Sequence, residues 1–127
     1  MIAWSGRILV FLGLLHLVAI GVLSTEHYGE WFSGALWMLP KEDFISPAGA
    51  AGAFWILPGS FAVPLFLLGL MLMAAPKQGM RVPASIGWFL GVWAVLGAAI
   101  LFPTPMILVL APAVMIVVAS NRKAQTE

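Results

Sequence analysis

Apolar residues gather along this chain in long unbroken runs, with the polar residues confined to the gaps between them. A helix that crosses a bilayer needs roughly 20 mostly apolar residues, and four stretches approach that length. The first runs from about Gly6 to Leu23, with Arg7 at its start and His16 as its one polar intruder at mid-depth. The second, from about Ala51 to Met73, carries no charge; the third lies between Ala84 and Leu101. The fourth, Met106 to Ala119, is short and has Pro112 inside it. A spanning segment must satisfy its own backbone hydrogen bonds, so all four are predicted as helices. Barrel strands would require apolar and polar residues to alternate, and LFLLGLMLM at 65–73 has no alternation. The predicted fold is all-α: one polytopic membrane domain over 1–127, an antiparallel bundle of four transmembrane helices.

The gaps differ in kind. Pro76 to Pro83 reads as a short basic turn, and FPTP at Phe102–Pro105 as a tight hairpin bracketed by prolines. Short links of this sort make neighbouring helices antiparallel. The connection from Ser24 to Gly49 is much longer, and a loop of that length usually hides an element or a function. Within it, EWFSGALWML puts Trp31, Phe32, Ala35, Leu36 and Leu39 near one helical face. The expectation is a short interfacial helix on the outer surface, ended by Pro40.

Composition agrees with the pattern. The chain is 62% apolar and 9% charged, whereas soluble domains run near half apolar and a quarter charged. Six Trp, thirteen Gly and nine Pro suit helices in a membrane with aromatic belts at its faces. The absence of Cys excludes disulfides, thiolate metal sites and cysteine nucleophiles. A net charge of +1 gives no reason to expect nucleic acid. The basic residues set the orientation: Arg7, Lys77, Arg81, Arg122 and Lys123 fall on one side of an up-down-up-down bundle, and only Lys41 on the other. The basic side is expected to be cytoplasmic, which places both termini there in a cell-membrane, multi-pass topology. Glu26, Glu30, Glu42 and Asp43 crowd the first connection, and Glu127 ends the sequence. A signal peptide is the alternative reading of the first segment; its length and His16 weigh against it.

Small residues mark where helices could touch, since in lipid close backbone approach replaces hydrophobic collapse. Gly87, Gly91, Ala94 and Ala98 draw such a stripe on the third helix, and Gly6, Gly13 and Ala19–Gly21 a less regular one on the first. The stripes serve either packing within the chain or contact with another copy. Pro58 and Pro64 each remove a donor from the second helix and free a carbonyl upstream. They could kink a packing helix or make a pocket wall with Ser60 as a polar point.

His16 is the first residue able to carry chemistry. Polar side chains at mid-membrane depth usually face the bundle interior or a cavity, and a neutral imidazole both donates and accepts a hydrogen bond. It could polarise a carbonyl, move a proton or anchor a ligand; alternatively it bonds a carbonyl or Ser60 on another helix and fixes register. Glu26, His27 and Glu30 could surround a divalent metal or simply form a solvated helix end. His16 and His27 would stand about 16 Å apart on a straight helix, too far to be two axial ligands of one haem. No nucleophile elbow, phosphate loop or other cofactor motif occurs, and no acid lies inside a predicted span. Phe54, Trp55, Phe61 and Phe66 with Trp88, Phe89 and Trp93 could cradle a flat or lipophilic ligand, or form core and lipid belt.

GRILVFLGLLH, EWFSGALW, AAGAFWILPG and IGWFLGVWAVLG follow one another in an order that resembles a bacterial family of small four-helix integral membrane proteins, classified as a domain of unknown function. The resemblance spans about Gly6 to Ala119. The family's Gly-Arg and following His match Gly6, Arg7 and His16; its Phe-Trp matches Phe54 and Trp55; its Gly-Trp matches Gly87 and Trp88. It implies the four-helix architecture and draws attention to His16, but implies no activity. DoxX-like proteins are a more distant likeness, in architecture alone.

Two functions are compatible with these residues. In one, the bundle binds a lipophilic small molecule, or isomerises or otherwise processes it, in an intramembrane pocket bounded by His16 as the catalytic candidate and by Ser60, Trp55 and Trp88 as ligand contacts. In the other, the chain is a structural or accessory subunit of a homo-oligomer or larger membrane complex.

Overall fold

The computed structural model describes residues 1–101 and 103–124, apart from the side chains of Phe44, Lys123 and Ala124. The expectations placed on Phe102, on the Lys123 side chain and on Glu127 lie outside the described residues. Among those described there are seven α-helices and no strand: α1 (Ile2–Leu23), α2 (Tyr28–Phe32), α3 (Lys41–Ile45), α4 (Gly49–Ile56), α5 (Ala62–Ala74), α6 (Ala84–Ile100) and α7 (Leu110–Ala124). Single 3₁₀ turns occur at Thr25–His27, Ala75–Gln78 and Pro105–Val109.

Two stretches are long and apolar enough to cross a membrane, Ile2–Leu23 and Pro105–Arg122. Ala62–Gln78 and Ala84–Ile100 are apolar but shorter. In the second of the long stretches the 3₁₀ turn runs straight into α7. Pro112 sits in the first turn of α7, where a missing N–H is harmless. The side chain of Thr104 starts the 3₁₀ turn by accepting from the Met106 N–H at 3.4 Å.

Two sequence expectations are corrected. The helix predicted from Ala51 to Met73 is interrupted: α4 ends at Ile56, turns occupy 57–61, and α5 begins at Ala62. Pro58 is the cause. It cannot donate to the Phe54 carbonyl, and Leu57 before it leaves the helical region at φ −110°, ψ −96°. The interfacial helix expected from Trp31 through Leu39 is also shorter than its apolar face suggested. It closes at Phe32, because Gly34 adopts a left-handed conformation at φ +84° and the Ala35 N–H turns back to the Glu30 carbonyl; Met38, farther on, is left-handed at φ +58°.

The chain forms two compact units. The first comprises residues 1–12 and 66–127. Its helices close up through glycine. A methyl group built on Gly6 would lie 2.5 Å from the Gly69 carbonyl oxygen, and one on Gly69 would lie 2.7 Å from the Gly6 oxygen. α1 and α5 therefore touch backbone to backbone. Gly87 of α6 does the same against α7, where an added methyl would meet the Ala113 oxygen at 2.6 Å. Around these contacts Leu9, Leu72, Leu90, Ala94, Ala113 and Ile116 are buried. The Ser120 hydroxyl donates to the Val82 carbonyl at 2.7 Å and ties α7 to the strap before α6. Near the start of α1 the Arg7 guanidinium lies 4.5 Å from the Trp4 ring centroid, a cation–π pair.

The second unit comprises residues 13–65. It holds the rest of α1, the long connection and α4, and it is glued by aromatic rings. Tyr28 and Trp31 of α2 are 5.1 Å apart, Trp31 meets Phe54 of α4 edge-on at 6.0 Å, and Phe54 meets Trp55 edge-on at 6.5 Å. Polar tips of the same rings hold backbone. The Tyr28 hydroxyl donates to the Gly21 carbonyl at 2.8 Å, and the Trp31 indole N–H to the Ala50 carbonyl at 2.8 Å.

Much of the apolar surface in both units faces outward. Phe11, Val18, Val22 and Leu23 along α1, and Phe89, Leu96 and Ile100 along α6, are all more than half exposed.

Candidate ligand-binding site

The break in the second predicted helix organises the polar groups of its unit. A helix continuing past Ile56 would direct the Ser60 N–H to the Ile56 carbonyl. Instead that N–H turns to the Leu57 carbonyl at 3.3 Å, and the carbonyl of Phe54 accepts from both Leu57 and Gly59. The Ile56 carbonyl is taken by His16, whose Nε2–H donates to it at 2.9 Å. Because a carbonyl only accepts, this bond puts a proton on Nε2. Ser60 works on the same turn. Its hydroxyl donates to the Leu57 carbonyl at 2.7 Å and accepts from the Ala62 N–H at 3.2 Å, which starts α5. His16 and Ser60 thus meet one piece of backbone, and the groups they engage are its carbonyls and one N–H.

Trp55 borders the same turn, where a methyl built on Gly59 would lie 3.2 Å from its ring. It lines a cavity of about 630 Å³ together with Trp31, Trp37, Phe54, Met38 and Lys41. That volume falls in the range of roughly 300–1,000 Å³ typical of small-molecule sites. The aromatic chain from Tyr28 to Trp55 supplies Trp31, Phe54 and Trp55 to its lining. A lip is formed by the tight turn at 33–38, pinned by Ala35 N–H to Glu30 carbonyl at 3.2 Å and Trp37 N–H to Gly34 carbonyl at 3.0 Å. Trp37 and Met38 on that lip are 82% and 99% exposed, so the lip offers apolar surface to whatever surrounds it. Lys41, at the first position of α3, is the sole charged residue among the cavity's lining residues.

Trp88 belongs to the other unit. There it lines an apolar groove of about 420 Å³ with Gly91, Val92, Val95 and Val114 on α6 and α7. Of the four residues expected to bound one pocket, His16 and Ser60 meet at the helix break, Trp55 borders that turn and lines the aromatic cavity, and Trp88 lines a groove of the other unit.

The acidic cluster does not converge on a metal. His27 Nδ1 faces a Glu30 carboxylate oxygen at 3.1 Å, and Nε2 faces Glu26 at 3.5 Å. The two carboxylates approach opposite edges of the ring, so no single point is shared by three donors. No group of three His, Cys, Asp or Glu able to hold a metal exists among the described residues. The arrangement orders the 3₁₀ turn that joins α1 to α2.

Sequence reasoning singled out Trp55 but assigned Trp31 to an interfacial face, Lys41 to topology, and Trp37 to nothing. A signal was present: two Trp and one lone Lys in the long connection between two apolar runs. Their convergence depends on the turn at Gly34, which no periodicity reveals.

Comparison with known proteins adds a family. The chain matches, over residues 1–124, a family of unknown function, DUF6463, and it belongs to that family. No curated protein and no solved structure matches it, and nothing connects it to DoxX-like proteins.

Proposed function

We propose that this protein is a multi-pass protein of the cell membrane that binds a lipophilic small molecule in the aromatic cavity of its first extracytoplasmic connection. Four crossings are supported by two full-length apolar helices and by two of 17 residues, the lower limit for a span. The interrupted helix fits that reading, because a break inside a membrane survives only where other groups satisfy its backbone. His16 and Ser60 do this at Ile56, Leu57 and Ala62. The charges sort in the same sense. Four acids and Lys41 lie within 13–65, whereas Arg7, Lys77, Arg81 and Arg122 lie within the unit that carries both termini. By the positive-inside rule both termini are cytoplasmic. The absence of cysteine makes this directly testable. Single cysteines at Ser33 and Lys77 should label from opposite faces of intact cells; labelling from the same face overturns the topology.

The observation that carries the binding function is the cavity itself: three indoles and a phenyl ring around about 630 Å³, with one charge at its edge. In this reading His16 and Ser60 support the site's unit and do not process the ligand. The accessory-subunit reading is the weaker one, since Gly87 and Ala94 of the third-helix stripe are already buried inside the chain. The protein purified gently into neutral nanodiscs should release a lipophilic molecule other than bulk lipid, seen by native mass spectrometry. Trp55→Ala should release markedly less. Equal spectra from both proteins, with bulk lipid alone, overturn the proposal.

A further inference from the structure

Lys41 makes the cavity's chemistry more specific than an apolar hollow. A lysine ammonium is strongly hydrated and carries three donors, so an exposed one is held by water until a carboxylate or a ring face takes its place. Among the described residues Lys41 has neither. The carboxylates of Glu26 and Glu30 are drawn to His27, the cation–π pair involves Arg7 and Trp4, and no salt bridge reaches Lys41. Glu42 and Asp43 follow it on α3 but do not line the cavity. Among the described residues, an exposed cation with no ion pair or ring partner therefore lines a space walled by Trp31, Trp37, Phe54 and Trp55. All other basic residues lie in the other unit, so the long connection places its single positive charge here.

Resting on the binding reading above, we infer that the ligand is an anionic amphiphile, with its hydrocarbon body among the three indoles and its anionic head on the Lys41 ammonium. The apolar body gains by leaving water or the headgroup layer, roughly in proportion to its buried area. The head gains a charge-assisted hydrogen bond, which is about twice as strong as a neutral one. Neither half alone accounts for both the cavity and the unmatched charge. A neutral terpenoid would leave the ammonium unused, and a small anion would leave the indoles empty. The exposed Trp37 and Met38 form the side from which such a molecule would enter, because both present apolar surface outward. The head can be a carboxylate or a phosphate, since lysine binds either as a point charge.

The test uses full-length protein in nanodiscs of neutral phosphatidylcholine. Four probes share one hexadecyl chain and end in a carboxylate, a phosphate, an alcohol or a trimethylammonium group. Binding is read from the change in tryptophan fluorescence and repeated by isothermal titration. The wild type should bind one or both anionic probes about tenfold more tightly than the alcohol, as expected for one charge-assisted contact, and the cationic probe least. Which anion wins separates a fatty-acid-like ligand from a lysophospholipid-like one. Lys41→Gln should remove the preference by weakening the anionic probes far more than the alcohol, and Lys41→Arg should restore it. If every probe binds the wild type equally, or if the preference survives in Lys41→Gln, the anionic-head inference falls while the cavity reading stands. If no probe binds the wild type better than it binds Trp55→Ala, both fall. Lys41 is exposed, so its variants should keep the wild-type circular dichroism spectrum.

Discussion

The two units solve the same problem by different means. In the unit built from residues 1–12 and 66–127, helices meet at glycine, and the backbone of one lies directly on the backbone of the next. In the unit of residues 13–65, large rings fill the space, and their polar tips, with those of His16 and Ser60, engage carbonyls. The first arrangement gives a dense contact at the glycines and leaves only an apolar groove beside it on α6 and α7. The second leaves an aromatic wall and, beside it, a cavity. Where apolar helices lie in lipid there is no hydrophobic drive between them, and association comes from close packing or from hydrogen bonds. Each unit relies mainly on one of these.

The comparison can be broken most severely in the glycine unit. Gly87→Val would place a branched side chain against the Ala113 carbonyl, and the backbone cannot yield as a flexible side chain could. The expected loss is about 3 kcal/mol, the upper end of overpacking costs, read as a lower denaturation midpoint in detergent. In the aromatic unit His16→Ala leaves the Ile56 carbonyl without its partner and should cost about 1–2 kcal/mol, the scale of hydrogen bonds between helices in lipid. His16→Gln restores an N–H donor and should recover part of that loss. Neither change should weaken binding to the aromatic cavity in the fraction that stays folded; loss of binding with full stability would give His16 the ligand role instead. Trp31→Phe keeps an aromatic ring, though a smaller one, and removes the N–H that reaches Ala50. It should lower stability by about 1 kcal/mol and loosen the wall, seen as faster hydrogen exchange in α4. The smallest change sharpens the contrast from within α6. At Gly91 an added methyl would meet the Ala113 side chain at an ordinary 3.7 Å. Gly91→Ala should therefore stabilise the helix by about 0.5 kcal/mol, although it lies one turn from a glycine that tolerates nothing larger.

The same contrast explains what could be read in advance. Gly6 and Gly87 stood out as small residues at helical spacing, and both prove to be contact points. Gly69, the partner of Gly6, drew no attention, because a single glycine in an apolar run looks like any other. Pro58 was visible as a missing donor. Whether the helix would bend or break there depended on what could bond the liberated carbonyls. His16 was recognised as out of place in its apolar stretch, but the partner it meets, Ile56, is distant in sequence and contributes only backbone. Trp37 and Lys41 were the least legible. They come together through left-handed residues at Gly34 and Met38, and φ at a methionine cannot be anticipated from hydrophobic spacing.

Hydrophobicity and charge placement are summed over long segments, and they determined from the sequence alone that the chain is helical and apolar and how its basic residues are divided. Those properties survive any local detail, since they depend on composition over tens of residues. The tertiary structure decided where the second predicted helix breaks, which glycines touch, and which aromatics surround a cavity. Each of these turns on a single carbonyl, hydrogen atom or dihedral angle, and such terms act only between residues that the fold has already brought within a few ångströms of one another.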